Sequence, residues 1–182
     1  MLVCIDAGHG MNSRGPGYDP GAVNKLMLAE EAEIALEWVL TLKHVLTANG
    51  VPCVLTRTSA HDPCPLNSRA LIARKYHATH FISIHCNSAV NPLASGTETF
   101  YREGPSKWAE DVHLAALKAL GLRDRGMKHE SRSPRRRLAV LAAPDPCLLE
   151  LGFISCPKDL ARMKDRNRRI AFAEALLDLI KP

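Results

Sequence analysis

Leu2-Val3-Cys4-Ile5-Asp6-Ala7-Gly8-His9-Gly10 opens the chain as an apolar run that breaks at a histidine held between two glycines. A short apolar run bounded by turn residues reads as a buried strand, here residues 2–6. The flanking glycines keep neighbouring side chains away and admit positive φ, so the His9 ring can be presented at the strand's end. Outward from it, a glycine- and proline-rich loop (Gly15-Pro16-Gly17, Pro20-Gly21) leads into a helical pattern over residues 29–48, stopped by Asn49-Gly50. Residues 51–56 read as a strand and 65–76 as a helix. His80-Phe81-Ile82-Ser83-Ile84-His85 alternates polar and apolar side chains, a strand pattern. Residues 96–101 form a further strand, rich in threonine and aromatics. An amphipathic helix over 107–120 is closed by Gly121, short strands follow at 138–141 and 147–151, and 158–180 closes the chain as one or two helices. Strands alternating with helices predict an α/β domain with helices on both sheet faces. Sites in such folds collect at the carboxyl ends of strands. His9, His85 and Glu150 each follow or end a predicted strand.

The 182 residues fit one domain, 1–182, and 46% apolar content with 24% charge excludes a disordered or fibrous chain. No apolar run approaches the roughly 20 residues of a membrane helix, so no membrane anchor is expected. Met1-Leu2-Val3 lacks the basic start and cleavage site of a secretory signal, so the chain is expected in the cytoplasm as synthesised. Cys4, Cys53, Cys64, Cys86, Cys147 and Cys156 form no CxxC pair, which argues against a zinc knuckle or disulfide framework and for buried thiols. A net charge of +5 favours an anionic partner without naming one.

Four residues stand out chemically. His9 is either a turn histidine bonded to backbone or a metal ligand. At 100° per residue, Leu28, Ala32, Ala35, Val39, Leu42 and Leu46 form one helical stripe, and Glu31 falls in its middle. Glu30, Glu33, Glu37 and His44 fall on the solvent side. A carboxylate in an apolar stripe must be paired or metal-bound, although a salt bridge or a role at the helix N-terminus also accounts for Glu31. His85 shares a strand face with Ser83, opposite Ile84 and Cys86. Glu150 lies inside Cys147-Leu148-Leu149-Glu150-Leu151, where burial would raise its pKa and suit general acid–base work, unless an arginine pairs it. Asn87 either orients a substrate or caps a turn. Two histidines and one glutamate around zinc leave a fourth position for water, the mark of a catalytic site.

In these residues the sequence resembles the zinc-dependent N-acetylmuramoyl-L-alanine amidases of the Amidase_3 family, in particular phage endolysin catalytic domains. The resemblance spans almost the whole chain. It is carried by Ile5-Asp6-Ala7-Gly8-His9-Gly10, Asp19-Pro20-Gly21-Ala22-Val23, Glu31, Thr56-Arg57 and Arg69 in the first half. Ser83-Ile84-His85-Cys86-Asn87, Gly96-Thr97-Glu98-Thr99-Phe100-Tyr101 and Leu149-Glu150-Leu151-Gly152-Phe153-Ile154-Ser155 carry it in the second. It implies a three-layer α/β/α sandwich with a mixed, mainly parallel twisted sheet. It further implies one zinc ion on His9, Glu31 and His85, with Glu150 as the catalytic glutamate. The implied reaction is hydrolysis of the amide between N-acetylmuramic acid and L-alanine in peptidoglycan, by water that zinc activates and Glu150 deprotonates.

Two departures and one basic segment qualify the match. Cys86 and Cys156 stand where the family often has a small residue and asparagine. Alternation turns Cys86 from the metal, and a Cys156 thiolate would close the position catalysis needs. Glu130-Ser131-Arg132-Ser133-Pro134-Arg135-Arg136-Arg137 reads either as a solvated loop or as a patch meeting anionic wall polymer. It lacks interleaved aromatics, which makes single-stranded nucleic acid a poor fit, and no nucleic-acid partner is expected. A monomer with an open, ungated site is expected, acting on the wall after release. A zinc peptidase on free peptides and a non-catalytic wall-binding module are the competing classes.

Overall fold

The computed structural model describes residues 1–181. Its elements are β1 (Val3–Ala7), β2 (Gly10–Met11), β3 (Tyr18–Asp19), β4 (Val23–Asn24), β5 (Ala29–Glu30) and α1 (Glu31–Ala48) in the first quarter of the chain. β6 (Cys53–Leu55), α2 (Leu66–Lys75), β7 (His80–Asn87), β8 (Thr97–Tyr101) and α3 (Lys107–Leu120) follow. β9 (Asp124–His129), β10 (Pro146–Phe153), α4 (Pro157–Lys164) and α5 (Arg166–Ile180) complete it, with 3-10 turns at Glu130–Arg132 and Ala139–Ala142.

The main sheet runs β6-β1-β7-β10-β8-β9. The β6, β1, β7 and β10 strands are mutually parallel, β8 turns antiparallel to β10, and β9 runs parallel to β8. The sheet is thus mixed and mainly parallel, as expected. Strand alternation divides its side chains between two layers. Val3, Ile5, Ile82, Ile84 and Leu149 meet α1, α3 and α5, while Cys4, Phe81 and Leu148 meet α2 and the Ala139–Ala142 turn. Buried on both faces, central strands read as near-continuous apolar runs, which is why β1 is apolar from end to end except for Asp6. The larger layer is locked where Trp38 Nε1 on α1 donates to Met163 O at the end of α4, at 2.8 Å. Among the described residues no helix is long and apolar enough to cross a membrane.

Several local expectations are corrected. Residues 138–141 are a 3-10 turn rather than a strand, since Leu141 and Ala143 bond back to Leu138 and Val140. The first helix begins at Glu31 rather than 29, because Ala29–Glu30 pair with Val23–Asn24 as a small ladder. Leu28 therefore lies outside the helical stripe and is exposed. The edge strand β9 escapes a sequence reading: Asp124-Arg125-Gly126-Met127-Lys128-His129 has neither alternation nor β-branched residues. The final region divides into two helices at Asp165, whose carboxylate caps α5 through the Asn167 N–H. All six cysteines are free, five of them buried.

Candidate metal centre

The turn after β1 is held from beneath by two buried arginines. Arg57 donates to the carbonyls of Ala7, Gly8 and Ala32 at 3.0, 2.8 and 2.7 Å. Arg69 donates to Ala7 O and His9 O, each at 2.7 Å, and to Asp6 Oδ1 at 2.8 Å. Asp6, wholly buried, also accepts from Thr56 Oγ1 at 2.5 Å and Ser83 Oγ at 2.6 Å. Burial works against its charge, but Arg69, Ser83 and Thr56 outweigh it and hold the carboxyl below its ordinary value. Arg57 and Arg69, to which the sequence motifs assign no role, thus fix the backbone of this turn.

His9 adopts φ of 58°, so the turn that presents it is left-handed at the histidine itself. Its Nε2 lies 3.1 Å from Glu31 Oε2, and His85 Nδ1 lies 2.8 Å from Glu31 Oε1. One nitrogen from each ring and a Glu31 oxygen all fall within 4.8 Å of one another. Glu31 is the first residue of α1, which turns its carboxylate toward the strand ends, and it also accepts the backbone N–H groups of Ala22 and Cys86. Burial opposes the Glu31 charge, yet His85 and His9 hold its pKa well below the carboxylate range. Desolvation lowers the His9 pKa, but Glu31 and Asp19 reverse that and raise it; for His85 desolvation prevails and the ring is pushed toward neutrality.

Two glycines make the convergence possible. A Cβ on Gly8 would sit 2.4 Å from His85 Cε1, and one on Gly21 would sit 2.6 Å from Glu31 Oε2. Asp19, part of the 19–23 motif but given no role there, meets His9 Nδ1 through Oδ2 at 2.9 Å while its Oδ1 accepts from Gly21 N–H. A carboxylate on the second ring nitrogen fixes the tautomer and orientation that a metal-binding histidine needs. Two imidazole nitrogens, one carboxylate and this outer support fit a zinc ion by donor chemistry and by spacing.

Glu150 stands next to His85 in the β7–β10 register and opposite Glu98 in the β10–β8 register, so all three share one face. The ladder to β7 slips directly after it, resuming at Phe153↔Asn87. Among the described residues no arginine pairs with Glu150. Its Oε2 is cut off from solvent without a hydrogen-bond partner. Burial, followed by the charges of Glu31 and Glu98, raises its pKa well above the ordinary carboxylate value. Glu98, part of the 96–101 motif but given no role there, is itself neutralised by Arg125 at 2.8 Å and Lys128 at 2.5 Å. Asn87 donates to Glu98 Oε1 at 2.7 Å and accepts from Ser88 N–H, so its amide is engaged within the protein. His9, Glu31, His85, Asn87, Glu98 and Glu150 line one cavity of about 590 Å³ at the carboxyl ends of the strands. Glu30 points elsewhere, toward Tyr18, and Cys86 packs into the α1 layer as alternation predicts. Cys156 is buried at the start of α4 and is no part of the cluster.

The Amidase_3 family of N-acetylmuramoyl-L-alanine amidases matches residues 3–182. The chain belongs to this family. It is 30% identical over 181 residues to an uncharacterised protein of Bacillus subtilis, covering 97% of this chain and 81% of that one. It is likewise 30% identical over 174 residues to the sporulation-specific N-acetylmuramoyl-L-alanine amidase of the same organism, covering 90% of this chain and 60% of the relative. Its fold superposes with a TM-score of 0.84 on the catalytic domain of the amidase CwlV from Paenibacillus polymyxa, at 31% identity and 98% and 95% coverage of the two chains. An amidase of Nostoc punctiforme gives 0.83 at 30% identity, covering 99% and 94%. The six-stranded sheet and its flanking helices are therefore those of Amidase_3 catalytic domains, and membership supports an enzyme of cell-wall degradation.

Proposed function

We propose that the chain hydrolyses the amide joining the lactyl group of N-acetylmuramic acid to the first L-alanine of the peptidoglycan stem peptide. His9, Glu31 and His85 hold one zinc ion, and Glu150 carries the proton. The observation behind this reading is Glu150, a carboxylate with an unpartnered oxygen in the same cavity as the His-Glu-His group. Zinc, when bound, supplies a Lewis acid that polarises the scissile carbonyl and acidifies water. Glu150 accepts a proton from the attacking water as the new C–O bond forms. It then delivers that proton to the alanine nitrogen as the C–N bond breaks, releasing the lactyl acid and a peptide amine. Its raised proton affinity suits holding the proton between the two transfers near neutrality. Asp19 keeps His9 Nδ1 occupied, which leaves Nε2 for the metal.

Digestion of defined peptidoglycan with and without a chelator tests this. Mass spectrometry is expected to show intact stem peptides with a new L-alanine N-terminus, abolished by chelation and restored by zinc. Cuts within the stem peptide would make the enzyme a peptidase instead, and an absence of cleavage with zinc supplied would leave it a wall-binding module.

A further inference from the structure

The chemistry above uses the floor of the cavity and leaves its rim unexplained. That rim is basic. The cavity of about 590 Å³ abuts a second of about 700 Å³, and the two share Arg14, Leu66 and Arg135, so a single groove leads away from the His-Glu-His group over Leu66. Arg14 stands on one flank, in the loop after β2. Arg135 and Arg137 stand on the other, in the basic segment noted in the sequence.

Arg135 and Arg137 sit on a loop held at both ends, and neither is neutralised. Arg102 donates through Nε to Glu130 Oε1 at 2.6 Å, and through Nη2 to Glu130 Oε2 at 3.0 Å and Leu138 O at 2.8 Å. Glu130 Oε2 also accepts the Leu138 N–H at 2.6 Å. The two feet of the 131–137 loop are thus stapled to each other and to the end of β8, and inner turns are closed by Ser133 N–H to Glu130 O and Arg136 N–H to Ser133 O. Within this fixed loop Arg135 and Arg137 are exposed, and among the described residues no carboxylate pairs with either; Arg14 reaches only Asp19, at 3.8 Å. Unpaired guanidinium forks on a loop hydrogen-bonded at both feet suit carboxylate recognition.

We infer that Arg135 and Arg137, with Arg14 across the groove, form a subsite for a free carboxylate of the stem peptide and favour acidic stems over amidated ones. This rests on the peptidoglycan reading above. An unsubstituted N-acetylmuramoyl sugar offers no anion, since its lactyl carboxyl is tied up in the amide being cut. The carboxylates of the substrate lie on its peptide, so a basic groove leading from the site follows the stem.

The test compares two N-acetylmuramoyl peptides of identical sequence, one with free carboxylates and one fully amidated. The wild-type zinc-loaded enzyme is expected to cleave the acidic substrate with a kcat/KM at least tenfold higher. The double substitution Arg135→Ala, Arg137→Ala is expected to remove about tenfold from the acidic substrate and leave the amidated one unchanged. Arg132→Ala with Arg136→Ala, the same loss of charge outside the cavity, is expected to change neither. Equal losses on both substrates, or equal losses from both double variants, would overturn the subsite. Binding of the acidic stem peptide alone to Glu150→Gln separates the two readings. If neither substrate is cleaved, the reaction reading falls, and the subsite stands only where that binding weakens on removing Arg135 and Arg137. Normal cleavage without carboxylate preference sinks the subsite alone.

Discussion

Arg69→Met removes the cation from beneath the His9 turn while keeping much of the side-chain volume. Arg69 is 1% exposed and Asp6 wholly buried, and the guanidinium meets Asp6 Oδ1 at 2.8 Å. Breaking a buried pair by deleting one partner costs about 3–5 kcal/mol, because the remaining charge loses its counter-ion and keeps only the hydroxyls of Thr56 and Ser83. The carbonyls of Ala7, His9 and Cys64 lose donors at the same time, which holds the cost at the upper end of that range. For a domain of this size the melting temperature is expected to fall by about 10 °C or more. Denaturant unfolding of the metal-free protein is the assay, so that metal binding adds nothing to the native state. The pH dependence provides a second check. In the wild type the depressed Asp6 pKa gives a contribution that is whole above the ordinary carboxylate range and is lost as pH falls through the folded-state value. In the variant, burial is no longer opposed by the arginine, so Asp6 titrates higher and proton uptake relieves the stranded charge. The gap between the two proteins must therefore narrow on acidification, first as Asp6 of the variant takes up its proton and then as pH falls through the depressed wild-type value, leaving the part that comes from the lost carbonyl donors. A gap under about 1 kcal/mol at pH 7, or one that does not shrink in acid, would refute this account of the network.

Two further substitutions probe the site. Glu150→Gln is expected to abolish hydrolysis yet raise the stability of the metal-free fold at pH 7 by about 1 kcal/mol, since it removes a charge that burial disfavours. Because the folded-state pKa is raised, the wild type is penalised wherever Glu150 is ionised in its unfolded chain, so the variant's advantage shrinks as pH falls below the folded-state value and is gone below about pH 4; a variant less stable than wild type would contradict it. Asp19→Ala should weaken zinc binding by about 10–100-fold in competition with a chromogenic chelator, through loss of the support on His9 Nδ1; unchanged affinity would remove Asp19 from the site.

The parts of this protein legible in its sequence are those governed by short-range periodicity. Alternation placed His85 and Cys86 on opposite faces of β7. The helical stripe separated Glu31 from the exposed Glu33 and Glu37, and Gly121 marked the end of α3 through its left-handed conformation. The illegible parts depend on partners distant in the chain. Asp19 looks like any loop aspartate until folding brings it to His9, and Glu98 reads as one polar residue of a strand until register sets it across from Glu150. β9 is held by pairing with β8 rather than by any pattern of its own. The 138–141 stretch failed for the opposite reason, since an apolar tetrapeptide is equally content to bury Val140 and Leu141 from a tight turn.

The staple formed by Arg102, Glu130 and Leu138 anchors the basic loop to the margin of the sheet, whereas Glu150 rides on a strand enclosed by neighbours on both sides. On the proposed reading, a change of length or charge within residues 131–137 is expected to leave Glu150 in place. Relatives confronting differently decorated walls could diversify there while keeping one unaltered reaction core, and grafting that loop between them would exchange appetite without exchanging chemistry.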